Sequence, residues 1–508
     1  MGDKRIDWYF WWDVLMSTVI VLPIAILISG AFLIYVLSRV FNLTNRMESL
    51  VTVLFLLGSL VSLIVLNQDL ESYLLNSDAF FGLDTAGGIV YKPYAFSGFI
   101  LIISVFIGLL ITIFSGENLS NDPRYLVFYP LVLLTLSGLF GIFLSNNLFN
   151  LFLLTELTTV AASALIAFRF HQEIAIKAGF KYLIMSSIGT MMMLLGIYFV
   201  YRSTGDMHLY EMLSAPDDFT RIGGACFLLG FSLKAGVVPL HTWVPDVYGH
   251  APSPVSGLLA GVLSKSMLFI MPIICLRLGL TNRELGFYLM VFGCLNMLVG
   301  SIRLLRQPLL RRFLSFSSIG QTGYLMFGLG MGYYYNLPQA FSAGLFLFVI
   351  IAVMKCSAFL NAGILEHYFG TQDINKLKGI SSYAPLPSLY FSISLAGLAG
   401  IPLLAGFIGK WMVFSAALTA GDIFSTISLI FFVLSSVIGL GGYLPMIVKI
   451  YQPSDGTEKK FDGFEEPLVI SKWMSIPVAI LTLLVIVMGV FPTPWIRWVS
   501  QVIGWMAL

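Results

Sequence analysis

Along most of this chain apolar residues run for twenty or more positions at a time, and polar residues cluster in short intervals between the runs. A helix rises 1.5 Å per residue, so crossing the ~30 Å hydrocarbon layer of a bilayer takes about 20 predominantly apolar residues. On that rule the pattern predicts fourteen membrane-spanning helices, at about 16–39, 49–67, 95–115, 125–145, 147–168, 177–201, 222–243, 254–277, 286–305, 313–333, 341–366, 388–418, 424–450 and 473–491. The expected fold class is an all-α polytopic membrane protein. The longest polar intervals, 67–94, 201–221 and 453–467, read as surface connections, and none is long enough for a separate soluble domain.

Two of the fourteen segments are interrupted. Residues 230–265, GFSLKAGVVPLHTWVPDVYGHAPSPVSGLLAGVLSK, hold Lys234 and Lys265 in apolar, helix-like sequence that is broken by Gly236, Pro239, Pro245, Pro252 and Pro254. Residues 396–410, AGLAGIPLLAGFIGK, repeat the theme with Gly400 and Pro402 near Lys410. Paired interruptions at corresponding positions in two halves mark inverted-repeat transporters, whose sites lie near the membrane midplane at the breaks. Taking helices four to eight as one unit and nine to thirteen as the other places each broken helix, the seventh and the twelfth, fourth in its unit. Five helices per unit start the second on the opposite face, so the repeats are inverted. The chain then divides into three N-terminal helices (1–123), a first five-helix repeat (124–280), a second (281–452), and a C-terminal connection, fourteenth helix and tail (453–508).

Composition narrows the function classes. Of 508 residues, 58% are hydrophobic and 11% charged, against about 25% charged in ordinary soluble domains. A net charge of +2 without a lysine- or arginine-rich run argues against a nucleic-acid partner. Cys226, Cys275, Cys294 and Cys356 each stand alone in apolar sequence, without the spacing of a zinc or iron–sulfur site. With no Gly-rich nucleotide loop and no paired haem-ligand histidines, the chain is expected to hold no metal or cofactor and to carry out no redox chemistry itself. Lys4 and Arg5 precede an apolar run with no small-residue cleavage site, so the first segment reads as a span and not as a cleaved signal.

Charge also orients the chain. If the loops alternate sides, 16 basic residues fall on one side and 8 on the other, which also holds the acidic stretches 69–84 and 206–218. Basic residues favour the cytoplasmic side, so both termini are expected outside. The four basic residues left over, Lys234, Lys265, Lys355 and Lys410, all lie within spans.

A charge at the bilayer centre costs roughly 2.5–3.5 kcal/mol on insertion scales, so such residues usually face the protein interior and mark ion or proton paths. Glu156 reads as the one carboxylate deep in a span. Burial disfavours a lysine ammonium and a neighbouring carboxylate favours it; separating the two loosens the proton. Glu156 with Lys234 therefore reads as a protonation switch, with Lys265 the next acceptor and Lys410 a station in the other repeat. The plainer reading is a set of structural ion pairs. Four lysines and a glutamate, with two of the lysines beside helix breaks, favour the relay. Sodium prefers several oxygen ligands and is repelled by lysines, so the conducted ion is expected to be the proton, with any sodium handled by partners.

Weaker candidates surround this set. His241 and Asp246, in the seventh-helix break, line an inlet or cap exposed backbone groups. Lys181 snorkels at a helix end or serves the input path. Ser317, Ser318, Gln321 and Thr322 hold water on the polar axis or make ordinary interhelical hydrogen bonds. His367 beside Glu366 reads as a solvated helix end, and Gly257 with Gly261 as a close helix contact.

The 230–265 stretch and AGIPLLAGFIGKW at 399–411 resemble the signature stretches of the antiporter-like subunits shared by respiratory complex I, Mrp-type multisubunit sodium/proton antiporters and archaeal membrane-bound hydrogenase and sulfane reductase complexes. The resemblance runs from about the third helix to the thirteenth. It implies that Glu156 and Lys234 form a coupled pair, that Lys265 relays protons and that Lys410 lies toward the exit. It further implies a subunit that works beside other membrane subunits, further antiporter-like ones among them, in an energy-transducing cytoplasmic membrane. On this reading the redox chemistry or ion exchange, of NADH dehydrogenase, hydrogenase, sulfane reductase or Mrp type, belongs to partners. Two departures stand out: Thr155 where the family often has tryptophan, and Ile351 where it often has a histidine one turn before the eleventh-helix lysine. The second leaves Lys355 to be reached through serine or tyrosine side chains and water. The chain ends at Leu508 with no long lateral helix, which points to the shorter family members. Two alternatives are a self-sufficient sodium/proton antiporter and a scaffold without transport.

Overall fold

A bilayer offers no water to backbone N–H and C=O groups, so a spanning segment satisfies them within itself as a helix. The computed structural model, which describes residues 8–68, 81–82, 90–94, 96–120, 122, 125–209, 216–453 and 468–506, is accordingly helical apart from one two-residue hairpin, β1 (Phe81–Gly82) with β2 (Val90–Tyr91). Much of the expected connections 67–94 and 453–467 lies outside the described residues, as do 210–215 of the connection 201–221 and Lys4, Arg5, Arg124, Lys459 and Lys460 of the charge argument.

The helices are α1 (Trp8–Phe41), α2 (Asn45–Gln68), α3 (Ser97–Asn118), α4 (Tyr125–Leu144), α5 (Leu148–Ile166), α6 (Glu173–Thr204), α7a (Asp218–Ala235), α7b (Val244–His250) and α8 (Ser253–Arg277). The second half holds α9 (Asn282–Leu304), α10 (Leu310–Tyr335), α11 (Pro338–Phe369), α12a (Pro385–Ala399), α12b (Ala405–Ala420), α13 (Ile423–Tyr451), α14 (Lys472–Val490) and α15 (Thr493–Met506). Polar residues at the starts set the boundaries: Asn147 accepts from the backbone of Phe149 and Asn150, Asp217 from Thr220, and Thr281 with Glu284 closes a reciprocal capping box.

Among the described residues twelve helices are long and apolar enough to cross a membrane. Two of the expected spans differ. α10, expected at 313–333, has 26 residues but is too polar to count among the twelve. The segment expected as one span at 388–418 is two short helices, because Gly400 ends α12a at φ 89° and Leu403 is also left-handed at φ 72°. α15 lies within the stretch read from sequence as a tail. It packs on α11, with Trp498 4.6 Å from Phe99 of α3.

The centre of the fold is α11. It packs against α3, α8, α10, α12a, α12b, α14 and α15, and nearly all of it is buried. α1, α2, α6 and α13 form the rim and expose Phe32, Leu54, Ile184 and Ile430, as lipid-facing helices do. Glycines set the closest approaches. A Cβ on Gly300 of α9 would lie 2.3 Å from the backbone nitrogen of Gly320 in α10, and one on Gly261 would lie 3.0 Å from the Ala352 carbonyl of α11. These contacts bring α8, α9, α10 and α11 close enough for short side chains to bridge them.

Candidate functional site: a buried line of lysines

α7a ends in a left-handed glycine cap. Gly236 has φ 71°, and its N–H donates to Leu233 O at 3.2 Å while Val237 N–H donates to Ser232 O at 2.9 Å. The chain turns through a short 3₁₀ segment, Leu240–Trp243, and resumes as α7b. The backbone groups freed by the break find protein partners. The Trp243 indole donates to Leu233 O at 3.0 Å, and Val238 N–H donates to Asn296 Oδ1 of α9 at 3.1 Å. Lys234 stands in the last turn of α7a, where the carbonyl end of the helix favours a cation. It is buried and donates to Thr159 Oγ1 of α5 at 2.7 Å.

Glu156 lies one turn before Thr159, half-buried, and makes no ion pair with Lys234. Its carboxylate accepts from the Thr190 hydroxyl of α6. Each of the two charged groups is thus taken up by a threonine hydroxyl, Thr190 for Glu156 and Thr159 for Lys234. Thr155, Thr158, Thr159, Tyr182, Lys234 and Ser264 line a cavity of about 20 Å³ between α5 and α8, enough for one water. These hydroxyls are not expected as a group from the sequence, where Thr155 stands only as a departure. The signal was the run TELTT around Glu156, which puts three hydroxyls within a turn of the carboxylate.

Ser264 lies within α8, and Tyr248 Oη of α7b shares a hydrogen bond with its Oγ at 2.6 Å. Lys265 follows a π-helical turn, Leu259–Leu263; such turns concentrate at functional sites. It is 1% exposed and donates to Ser318 Oγ of α10 at 3.0 Å. The neighbouring Ser317 accepts from Lys355 of α11 at 2.5 Å, and Lys355, 0% exposed, also donates to Leu314 O at 3.0 Å. Two lysines from two helices therefore meet adjacent serines of a third.

Lys410 of α12b reaches back across its break. Its ammonium donates to Ala399 O at 3.0 Å and Leu398 O at 3.3 Å, at the carbonyl end of α12a, and to Ser436 Oγ of α13 at 3.1 Å. It also lies 4.6 Å from the Tyr324 ring centroid, a cation–π contact. Gln321 donates to the same Leu398 carbonyl at 3.1 Å. Among the described residues no carboxylate touches any of the four lysines, so neutral oxygens solvate them all.

The accessory candidates separate from this line. Asp246 is paired with Lys181 of α6 and, at 3.4 Å, with Arg312 of α10. Lys181 is thus an ion-pair partner and does not snorkel freely. His241 Nδ1 is buried without a hydrogen-bond partner. Thr322 bonds back to Ser318 O of its own helix at 2.9 Å. Glu366 holds Arg311, which is 3% exposed, at 3.1 Å and Arg169 at 3.8 Å, beside a cavity of about 210 Å³ that His367 also lines. At the end of α11, Glu366 is thus a half-buried ion-pair partner of the buried Arg311, while His367 beside it is exposed, as a solvated helix end is. A second carboxylate is enclosed, though at a helix start and not deep in a span: Glu48, in the first turn of α2, is 0% exposed and accepts from Ser38. Among the described residues no group of His, Cys, Asp and Glu is arranged to hold a metal ion.

The transmembrane family model described as NADH:quinone oxidoreductase/Mrp antiporter matches residues 145–439, a stretch that contains Glu156 and all four lysines. The chain is 30% identical over 488 residues to NADH-quinone oxidoreductase subunit N 2 of Chloroherpeton thalassium, covering 92% of this chain and 91% of that protein. It is 26% identical over 498 residues to a Na(+)/H(+) antiporter subunit of Alkalihalophilus pseudofirmus, covering 96% and 97%. Its fold is similar to a chain of the archaeal membrane-bound sulfane sulfur reductase, with TM-score 0.82, 24% identity and coverage of 96% and 98%. It is also similar to a chain of the Mrp complex from Dietzia sp. DQ12-45-1b, with TM-score 0.83, 20% identity and coverage of 96% and 97%. The chain is an integral membrane protein of the NADH:quinone oxidoreductase/Mrp antiporter transmembrane family.

Proposed function

We propose that this chain is the proton-translocating, antiporter-like subunit of a multisubunit respiratory or Mrp-type membrane complex, driven by redox chemistry or ion exchange in partner subunits. The observation that supports it is the spacing of four buried lysines along hydroxyl groups: Lys234 on Thr159, Lys265 on Ser318, Lys355 on Ser317 and Lys410 on Ser436. A lysine ammonium gives up a proton and becomes an amine, and the next amine accepts it. Glu156 biases the first station, because moving its charge away from Lys234 weakens the hold on that proton. Lys265 and Lys355 on adjacent serines form a coupled pair, in which a proton on one raises the electrostatic energy of a proton on the other. Such a pair pushes charge forward, toward Lys410 at the second break.

On this reading the chain is two inverted five-helix repeats, 124–280 and 281–452, within fourteen spans, and the excess of basic residues on one side places both termini outside. The test uses membranes that carry the assembled complex, energised by its own driving reaction. Glu156→Gln and Lys234→Ala are each expected to cut proton pumping severalfold with the complex still assembled. Unchanged pumping in both variants would leave the scaffold reading standing. Robust sodium/proton exchange by the isolated chain in proteoliposomes would favour the self-sufficient antiporter.

A further inference from the structure

Between Lys355 and Lys410 the line of lysines has a gap, for the two ammonium groups share no hydrogen-bond partner. Lys355 has two acceptors. One is a backbone carbonyl, Leu314 O, which has no proton to pass on; the other is the Ser317 hydroxyl, which has. The other side-chain partner of Ser317 is the hydroxyl of Tyr443, on α13. Tyr443 is 4% exposed, and its ring is fixed edge-on against Phe313 at 5.7 Å and 87°. Beside both hydroxyl-bearing residues lies a cavity of about 10 Å³ walled by Tyr443, Ser317, Gln321, Tyr324, Lys410 and Ser436, at the lower bound for one water. Glycines leave that space open. Gly300, Gly320 and Gly439 border it, a Cβ on Gly439 would meet the Tyr443 ring at 3.6 Å, and one on Gly300 would strike Gly320.

We propose that Tyr443, acting with Ser317, is the proton link between the central lysines and Lys410, so that α13 supplies a conducting group to the path; the inference rests on the proton-relay reading above. A hydroxyl donates and accepts at once, which the hop requires. The Gln321 amide donates to a carbonyl and lacks an exchangeable acidic proton. In the step, the Lys355 ammonium gives a proton to Ser317 oxygen as the Ser317 proton passes to Tyr443 oxygen. The Tyr443 proton passes into the cavity, through a water there, and onto the Lys410 amine. Each hydroxyl ends neutral with a different proton, Lys355 ends as an amine and Lys410 as an ammonium. Rotation of the two hydroxyls resets the chain.

The test is Tyr443→Phe, which removes one oxygen and keeps the packed ring, read as protons pumped per turnover of the driving reaction in membranes with the assembled complex. Pumping is expected to fall at least fivefold while assembly and the driving reaction persist. Adding Ser317→Ala should lower it no further, because both oxygens serve one step. Ser317→Thr, which keeps a hydroxyl, should pump near the wild-type level where Ser317→Ala does not. A merely structural bond would not distinguish the two in this way. Wild-type pumping by Tyr443→Phe, with Lys355→Met and Glu156→Gln defective, overturns the link and leaves the relay intact. Normal pumping by all three overturns the relay itself. Should Tyr443→Phe fail to assemble, the serine pair decides: a loss confined to Ser317→Ala supports the link, and equal pumping by Ala and Thr overturns it.

Discussion

Lys355→Met separates transport from stability, because the structure sets two large terms against each other. The lysine is 0% exposed and makes two charged hydrogen bonds, to Ser317 Oγ at 2.5 Å and Leu314 O at 3.0 Å. Such bonds contribute about 1.5–3 kcal/mol each, so replacing the ammonium forfeits roughly 3–6 kcal/mol. Against this, holding an ammonium at mid-membrane costs roughly 2.5–3.5 kcal/mol on insertion scales, and an effective several kcal/mol per buried ion. Methionine has nearly the same length and no charge to desolvate. The terms cancel to within about 2 kcal/mol, so the variant complex should assemble and survive a heating step, read by size-exclusion chromatography, as the wild type does. Proton pumping should nevertheless fall at least about tenfold. Without the amine, a proton leaving Lys265 has only serine hydroxyls to rest on, and an alcohol is too weak a base to hold one. Unchanged pumping per assembled complex would refute this reasoning. So would a loss of the ~3–5 kcal/mol characteristic of a broken buried ion pair, since Lys355 would then be a structural charge.

Other substitutions probe the surroundings. Thr159→Val keeps the shape and removes the acceptor of Lys234; the lost charged hydrogen bond, about 1.5–3 kcal/mol, should alter pumping with assembly retained, measured in the same membranes. Glu366→Ala leaves Arg311, which is 3% exposed, without its carboxylate, and should destabilise the chain by about 3–5 kcal/mol, seen as a lower yield of folded protein. Gly406→Ala would place a Cβ 1.8 Å from Gly397 O; the overpacking, about 1–3 kcal/mol or more, should separate α12a from α12b and reduce both yield and pumping.

The helices were legible because each apolar run is a local feature of the sequence, and so were the breaks, since Gly236 and Gly400 stop helices through their own backbone freedom. The identity of the lysines was equally plain: a charge in an apolar run is conspicuous wherever it lies. Their partners were less so. Glu156 was expected against Lys234 because opposite charges attract, yet each is taken up by a nearer threonine hydroxyl, Thr190 and Thr159. Asp246 and Glu366 are not legible as ion-pair centres, because Arg312 and Arg311 lie 66 and 55 positions away along the chain.

The sequence by itself therefore determined what must be buried, where the chain must cross or break, and which side chains bring charge into the membrane. These follow from transfer free energies and backbone geometry over one or two turns. Tertiary structure alone decided which oxygen meets which ammonium. Ser317 and Tyr443 are 126 positions apart, and they meet because glycine contacts draw α9, α10 and α11 together and α13 closes over them. Serine and tyrosine are common in helices and announce nothing by themselves; only the packing turns them into links between lysines.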